Sequence, residues 1–141
     1  MTLQQSQGKC TNLINICNFI FSVCFQPISA QELSQLKKLR LGFQNIGQTV
    51  SNLEPFTGAE TIVLSGNYIE YISVDSFIAN VNLLYLSLSR NKLVDVKYLV
   101  HLNRLEALDL SNNAIESVDM SELPPNLLSL KLNDNPIEQR A

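Results

Sequence analysis

The chain is predicted to fold as an α/β solenoid, a curved stack of coils whose short parallel strands line the concave face. Three observations carry this expectation. A pattern of apolar residues ending in asparagine returns at intervals of 22 to 24 residues: Ala59/Ile62/Leu64/Asn67/Ile69, Leu83/Leu86/Leu88/Asn91/Leu93, Leu105/Leu108/Leu110/Asn113/Ile115 and Leu127/Leu130/Leu132/Asn135/Ile137. A fainter copy, Leu36/Leu39/Leu41/Gln44/Ile46, precedes the first by 23 residues. Within each copy the apolar residues alternate with others (Leu108-Asp109-Leu110), the period of a half-buried strand. One such strand cannot bury its apolar face alone, so repetition at a fixed period implies stacking.

Residues 1–26 are the least orderly part. Leu13 to Phe25 is an apolar run interrupted by Asn15, Asn18 and Ser22, and four explanations stay open. It suits a helix capping the open end of the solenoid, with a narrow polar stripe. It has the length of a signal-peptide core, with Ile28-Ser29-Ala30 as a loose cleavage site. It suits an amphipathic partner-binding segment. Finally, the codons available for Gly8-Lys9-Cys10 and Cys24-Phe25-Gln26 resemble the two ends of an intron retained in the reading frame. Thirteen residues are too few to span a bilayer core of about 30 Å.

Residues 27–141 form the repeat domain. Ser29-Ala30-Gln31-Glu32 is a capping box, and Ile28 with Leu33 supplies a hydrophobic staple, so a short helix is expected over 30–36. The strands follow at Leu39-Arg40-Leu41, Ile62-Val63-Leu64, Leu86-Ser87-Leu88, Leu108-Asp109-Leu110 and Leu130-Lys131-Leu132. After each strand the backbone turns inward and strands its polar groups away from water, where each unpaired one costs about 1–3 kcal/mol. An asparagine side chain offers both an acceptor and donors. Asn67, Asn91, Asn113 and Asn135 are therefore read as an internal structural ladder, with Gln44 a doubtful first rung. The return halves continue inward at Ile69/Ile72, Leu93/Val96 and Ile115/Val118, and close at Phe77, Leu99 with Leu102, and Leu123. A helical turn is expected over 98–104. Leu123-Pro124-Pro125 cannot be regular helix and is expected to be extended. After the last Asn-Pro turn no capping helix follows, so the final strand is expected to show an open edge, which either a partner covers or the rest of a longer chain completes.

These repeats resemble those of the leucine-rich repeat superfamily. Their short length and the consensus Leu-x-x-Leu-x-Leu-x-x-Asn-x-Ile-x-x-Ile are similar to the intracellular class typified by the phosphatase 1 regulatory subunit, which includes ciliary and axonemal proteins. The resemblance covers residues 36–137. It implies a non-catalytic scaffold, adaptor or regulatory subunit whose partner is another protein, in the cytoplasm and in a cytoskeletal or ciliary setting.

Charge and cysteine usage point the same way. The net charge of −3, with only Lys37, Lys38 and Arg40 clustered, argues against direct nucleic-acid binding. All three cysteines (Cys10, Cys17, Cys24) lie in the N-terminal segment, an odd number with no paired framework and no metal-ligand spacing. No Asn-x-Ser/Thr sequon occurs. An extracellular recognition module with a cleaved leader, and the interaction domain of a larger protein, are the alternatives.

No catalytic group, metal site or cofactor is expected. His101 is the one histidine, Gly42, Gly47, Gly58 and Gly66 are isolated, and Asp75, Asp95, Asp109 and Asp119 fall in different repeats. Asn133-Asp134-Asn135 is turn and ladder, not a calcium loop. The remaining candidate for function is the concave face. Its expected columns are Arg40, Val63, Ser87, Asp109 and Lys131; then Lys38, Thr61, Tyr85, Ala107 and Ser129; then Phe43, Gly66, Arg90, Asn112 and Asp134. Tyr85 and Arg90 stand out, because these residue types dominate binding hot spots.

Overall fold

The computed structural model describes residues 29–138. Helix α1 (Ala30–Ser34) opens it. Five three-residue strands follow: β1 (Lys38–Arg40), β2 (Thr61–Val63), β3 (Tyr85–Ser87), β4 (Ala107–Asp109) and β5 (Ser129–Lys131). They pair in chain order as one parallel sheet, so each coil lies directly on the one before. The architecture is a solenoid of stacked coils with little helix, as the repeat predicts.

Each strand begins with the same device. One carbonyl accepts two successive amides of the next coil: Lys37 takes Glu60 and Thr61, Glu60 takes Leu84 and Tyr85, Leu84 takes Glu106 and Ala107, Glu106 takes Leu128 and Ser129. This repeated contact locks the register at Leu39↔Ile62↔Leu86↔Leu108↔Leu130. The central residue of each strand points inward. Leu39, Ile62, Leu86 and Leu108 are buried, as are Leu41, Leu64, Leu88 and Leu110 beyond them. Phe56, Phe77, Leu99 and Leu102 close the core from the convex side.

The helix ends sooner than the sequence suggests. Ser29 caps it by accepting the Glu32 amide at 3.1 Å, and its hydroxyl bonds the Glu32 carboxylate at 3.3 Å. Gln35 already makes the C-cap, and Leu36 bonds back to Leu33 in a tighter turn. The chain must leave the helix there to bury Leu36 in the first coil. Ile28 of the expected staple, and all readings of residues 1–26, lie outside the described residues.

The convex returns differ from expectation in one place, and in another they keep the expected extended backbone at Leu123 but add a turn before it. Residues 98–104 form separate turns, with Leu102 bonding to Leu99 and Leu105 to Leu102, because Leu99, Leu102 and Leu105 must all be buried within seven residues. In the fourth coil a 3-10 turn, Met120–Glu122, precedes the prolines, and Leu123 is extended at ψ 153°. Asp119 starts that turn by accepting the Ser121 hydroxyl at 2.6 Å and amide at 2.9 Å.

Side chains also tie successive returns together. Ser76 donates to the Val50 carbonyl, Asn82 to Thr57, and Asn126 to Asn103. Buried Asn80 donates to Leu53 and Phe56, while its own side-chain oxygen has no partner. His101, half-buried, bonds the Phe77 carbonyl through Nε2 at 2.9 Å, an architectural contact. The two ends of the stack are unlike. Leu36, Leu39 and Leu41 of the first coil are buried, whereas Leu127, Leu130 and Leu132 of the last are only partly covered.

Candidate interaction surface

Alternation along a strand sends the flanking residues to the concave face, and register aligns them across coils. Arg40, Val63, Ser87, Asp109 and Lys131 form one row of Cα partners. Lys38, Thr61, Tyr85, Ala107 and Ser129 form the other. Arg40 and Lys131 are exposed at the two ends, and Val63, Tyr85 and Asp109 are half-buried between them.

Ser87 is 3% exposed. Its hydroxyl lies 3.2 Å from that of Ser65 and 3.2 Å from that of Ser89, which are themselves 2.8 Å apart. The row therefore has a recessed, self-bonded hydroxyl cluster at its centre. One coil on, Asp109 accepts the Ser111 hydroxyl at 2.6 Å and amide at 3.0 Å, which holds its carboxylate along the sheet.

The third column has a property its composition hides. Phe43, Gly66, Arg90, Asn112 and Asp134 are all left-handed, with φ between 56° and 70°. Four of their amides extend the ladder one step past the strand: Phe43 to Ser65, Gly66 to Ser89, Arg90 to Ser111, Asn112 to Asn133. The left-handed residue then swings the chain inward, so in the four later coils the residue after it points toward the core, whereas Gln44 in the first stays exposed. In four coils that residue is the repeated asparagine.

Asn91 shows what the asparagine does there. Its Nδ2 donates to the carbonyls of Leu64, Leu88 and Ser89, each at 3.0 Å. Its Oδ1 accepts the amides of Asn67 at 2.9 Å and Ile69 at 3.0 Å. Asn67 bonds Leu41, Leu64, Ser65 and the Gln44 amide. Asn113 bonds Leu88, Leu110, Ser111 and the Leu93 amide. Asn135 bonds Leu110, Leu132, Asn133 and the Ile115 amide. The Gln44 side chain, one methylene longer, reaches only the Gly42 carbonyl and stays exposed.

Part of the left-handed column gathers with residues beside it into a rim; the sequence reading had placed Phe43, Gly66 and Arg90 in that column but did not single out Tyr68 or Lys92. Phe43 lies over Gly66, so closely that a Cβ there would overlap its ring. With Tyr68, Arg90, Asn91 and Lys92 these residues line a small cleft. Tyr68 is left-handed at φ 63°, and Lys92 Nζ sits 5.3 Å from the centre of its ring. For Tyr68 and Lys92 the sequence signal was their shared place, each directly after a ladder asparagine.

Among the described residues no group of three His, Cys, Asp or Glu side chains converges as a metal site, and no helix is long and apolar enough to cross a membrane. Comparison with known proteins adds to this geometry. Family profiles described as leucine rich repeat match residues 57–115 and 104–130, which together span 57–130. The structure is similar to the crystal structure of an internalin C2 from Listeria monocytogenes, with 29% identity and a TM-score of 0.60 over 79% of this chain. The matched part is 48% of the internalin chain, so this protein spans about half of its length. No curated protein sequence matches. Leucine-rich repeat domains act in general as protein–protein interaction modules. The parallel strands, the buried asparagines and these matches lead to one conclusion: the chain folds as a leucine-rich repeat solenoid, and its residues 57–130 match leucine rich repeat profiles.

Proposed function

We propose that the protein is a non-catalytic scaffold, adaptor or regulatory subunit that binds another protein on its concave sheet. The observation that carries this reading is the in-register array of outward side chains across five strands, with Arg40 and Lys131 at its ends and Tyr85 near its middle. A rigid sheet presents such side chains at low entropic cost, and a half-buried tyrosine on such a face has the make-up of a hot spot. Small neighbours (Ala107, Ser87, Ser129) would let a partner's backbone approach closely.

We place the protein in the cytoplasm, in a cytoskeletal or ciliary assembly. Support comes from the odd cysteine count confined to residues 10–24, the absence of sequons, and the short intracellular-type consensus. The test is affinity purification of the tagged full chain from native cells, repeated with Tyr85→Ala and with Lys131→Glu. A co-purifying protein should be lost or strongly depleted in both variants while their circular dichroism is unchanged. Retention of every partner by both variants would remove the concave face from consideration.

A further inference from the structure

The rim cleft holds two large aromatics where neither chain conformation nor solvation favours them. Phe43 and Tyr68 are both left-handed, at φ 56° and 63°, a region unfavourable for bulky residues. They are also 68% and 55% exposed. Strain and apolar exposure kept at one place point to use. Arg90 and Lys92 stand beside the rings, and neither makes an ion pair among the described residues. The cleft encloses about 250 Å³. That is below the roughly 300–1,000 Å³ of sites that enclose small molecules, but it has room for a single side chain.

We propose that this cleft binds an acidic peptide segment of a partner protein, taking one apolar or aromatic side chain against Phe43 and Tyr68 and the flanking carboxylates on Arg90 and Lys92. The argument for an acidic occupant is charge complementarity: the two cations are exposed, make no ion pair among the described residues, and adjoin the apolar floor. A nucleic-acid strand fits less well. It calls for a basic track along its whole length, whereas this column continues from Arg90 into Asn112 and Asp134. The cleft deepens the proposed protein-binding role and rests on it, but it lies beyond the strand ends, away from Tyr85 and Lys131.

Selection of a random peptide library on the immobilised full chain tests this, followed by fluorescence anisotropy with a synthetic copy of the selected peptide. The expected pool is rich in Asp and Glu around one large apolar residue. Arg90→Glu or Lys92→Glu should each weaken the synthetic peptide about tenfold, as should Phe43→Ser, with thermal midpoints little changed for the two charge reversals. Added salt should erode the affinity. A neutral or basic pool, or no enrichment, would overturn the proposal. So would binding that survives the cleft variants but fails with Tyr85→Ala, an outcome that leaves the concave-face reading standing. Two further results would assign the cleft elsewhere and overturn it: oligothymidylate binding that the same variants abolish and acidic peptides do not compete, or self-association of the chain that they abolish.

Discussion

Asn91 meets three carbonyls and two amides with one side chain, and no other residue type of its size could do so. Alanine there would leave several buried backbone groups unpaired, at about 1–3 kcal/mol each before relaxation. Asn91→Ala should therefore lower stability by about 3 kcal/mol in urea denaturation. Asn135→Ala, at the half-open end where water can substitute, should cost about 1 kcal/mol. Equal losses would show that burial does not set the value of a rung. The left-handed column makes a second residue-scale claim. At Asn112, φ 56°, Val should destabilise by about 1–2 kcal/mol because a β-branched side chain resists that region, whereas Gly should not. Thermal midpoints of the two variants decide it. This column also shows where sequence reading stops. Gly66, Asn112 and Asp134 are types that tolerate positive φ, so the turn was visible in three coils. Phe43 and Arg90 are not such types. Only the tertiary register, which forces every coil through the same bend, puts them there.

Among the elements, the strands and the ladder positions were legible because each rests on a fixed spacing repeated four times or more. The convex segments were not, because they differ in length and composition from coil to coil and share only the need to bury an apolar residue. The 3-10 turn at Met120–Glu122 is the clearest case. Its signal was local, an aspartate two residues before a serine, and no repeat position marks it. Hydrogen bonds from the Ser121 hydroxyl and amide stabilise the Asp119 carboxylate and lower its pKa below the ordinary aspartate value. A depressed folded-state pKa adds stability above the ordinary value and loses it as pH falls through the folded one. Asp119→Asn keeps an acceptor but cannot titrate, so below the usual carboxylate range the variant should lose less thermal stability than the parent. A carbon-detected NMR titration should place the Asp119 midpoint on the acid side of the ordinary aspartate value. A midpoint at or above the ordinary aspartate value would contradict the bonding described.

At the scale of the whole molecule, stability in a stack depends on neighbours, and the two ends do not have equal ones. Leu86 is packed between coils on both sides and buried, so Leu86→Ala should cost about 2–5 kcal/mol. Leu130 is partly covered on an edge strand, and the same change should cost less than half as much by chemical denaturation. The parallel sheet and its order could be inferred from periodicity alone, because stacking admits few alternatives. The candidate surfaces could be inferred only as columns. Which side chains are recessed, like Ser87, and which gather into a cleft, like Phe43 with Lys92, depends on contacts between coils that no single repeat contains.

The asparagine bonds have a polarity. Beyond its own turn, each asparagine reaches only toward the coil before it: Asn113 holds the Leu93 amide, while the amide of its own Ile115 is held by Asn135. Every coil is thus latched by its successor. Removing one latch should release the upstream neighbour and spare what lies downstream. In hydrogen exchange, Asn113→Ala should speed the Leu93 amide far more than the Ile115 amide, so that damage travels one way along the stack.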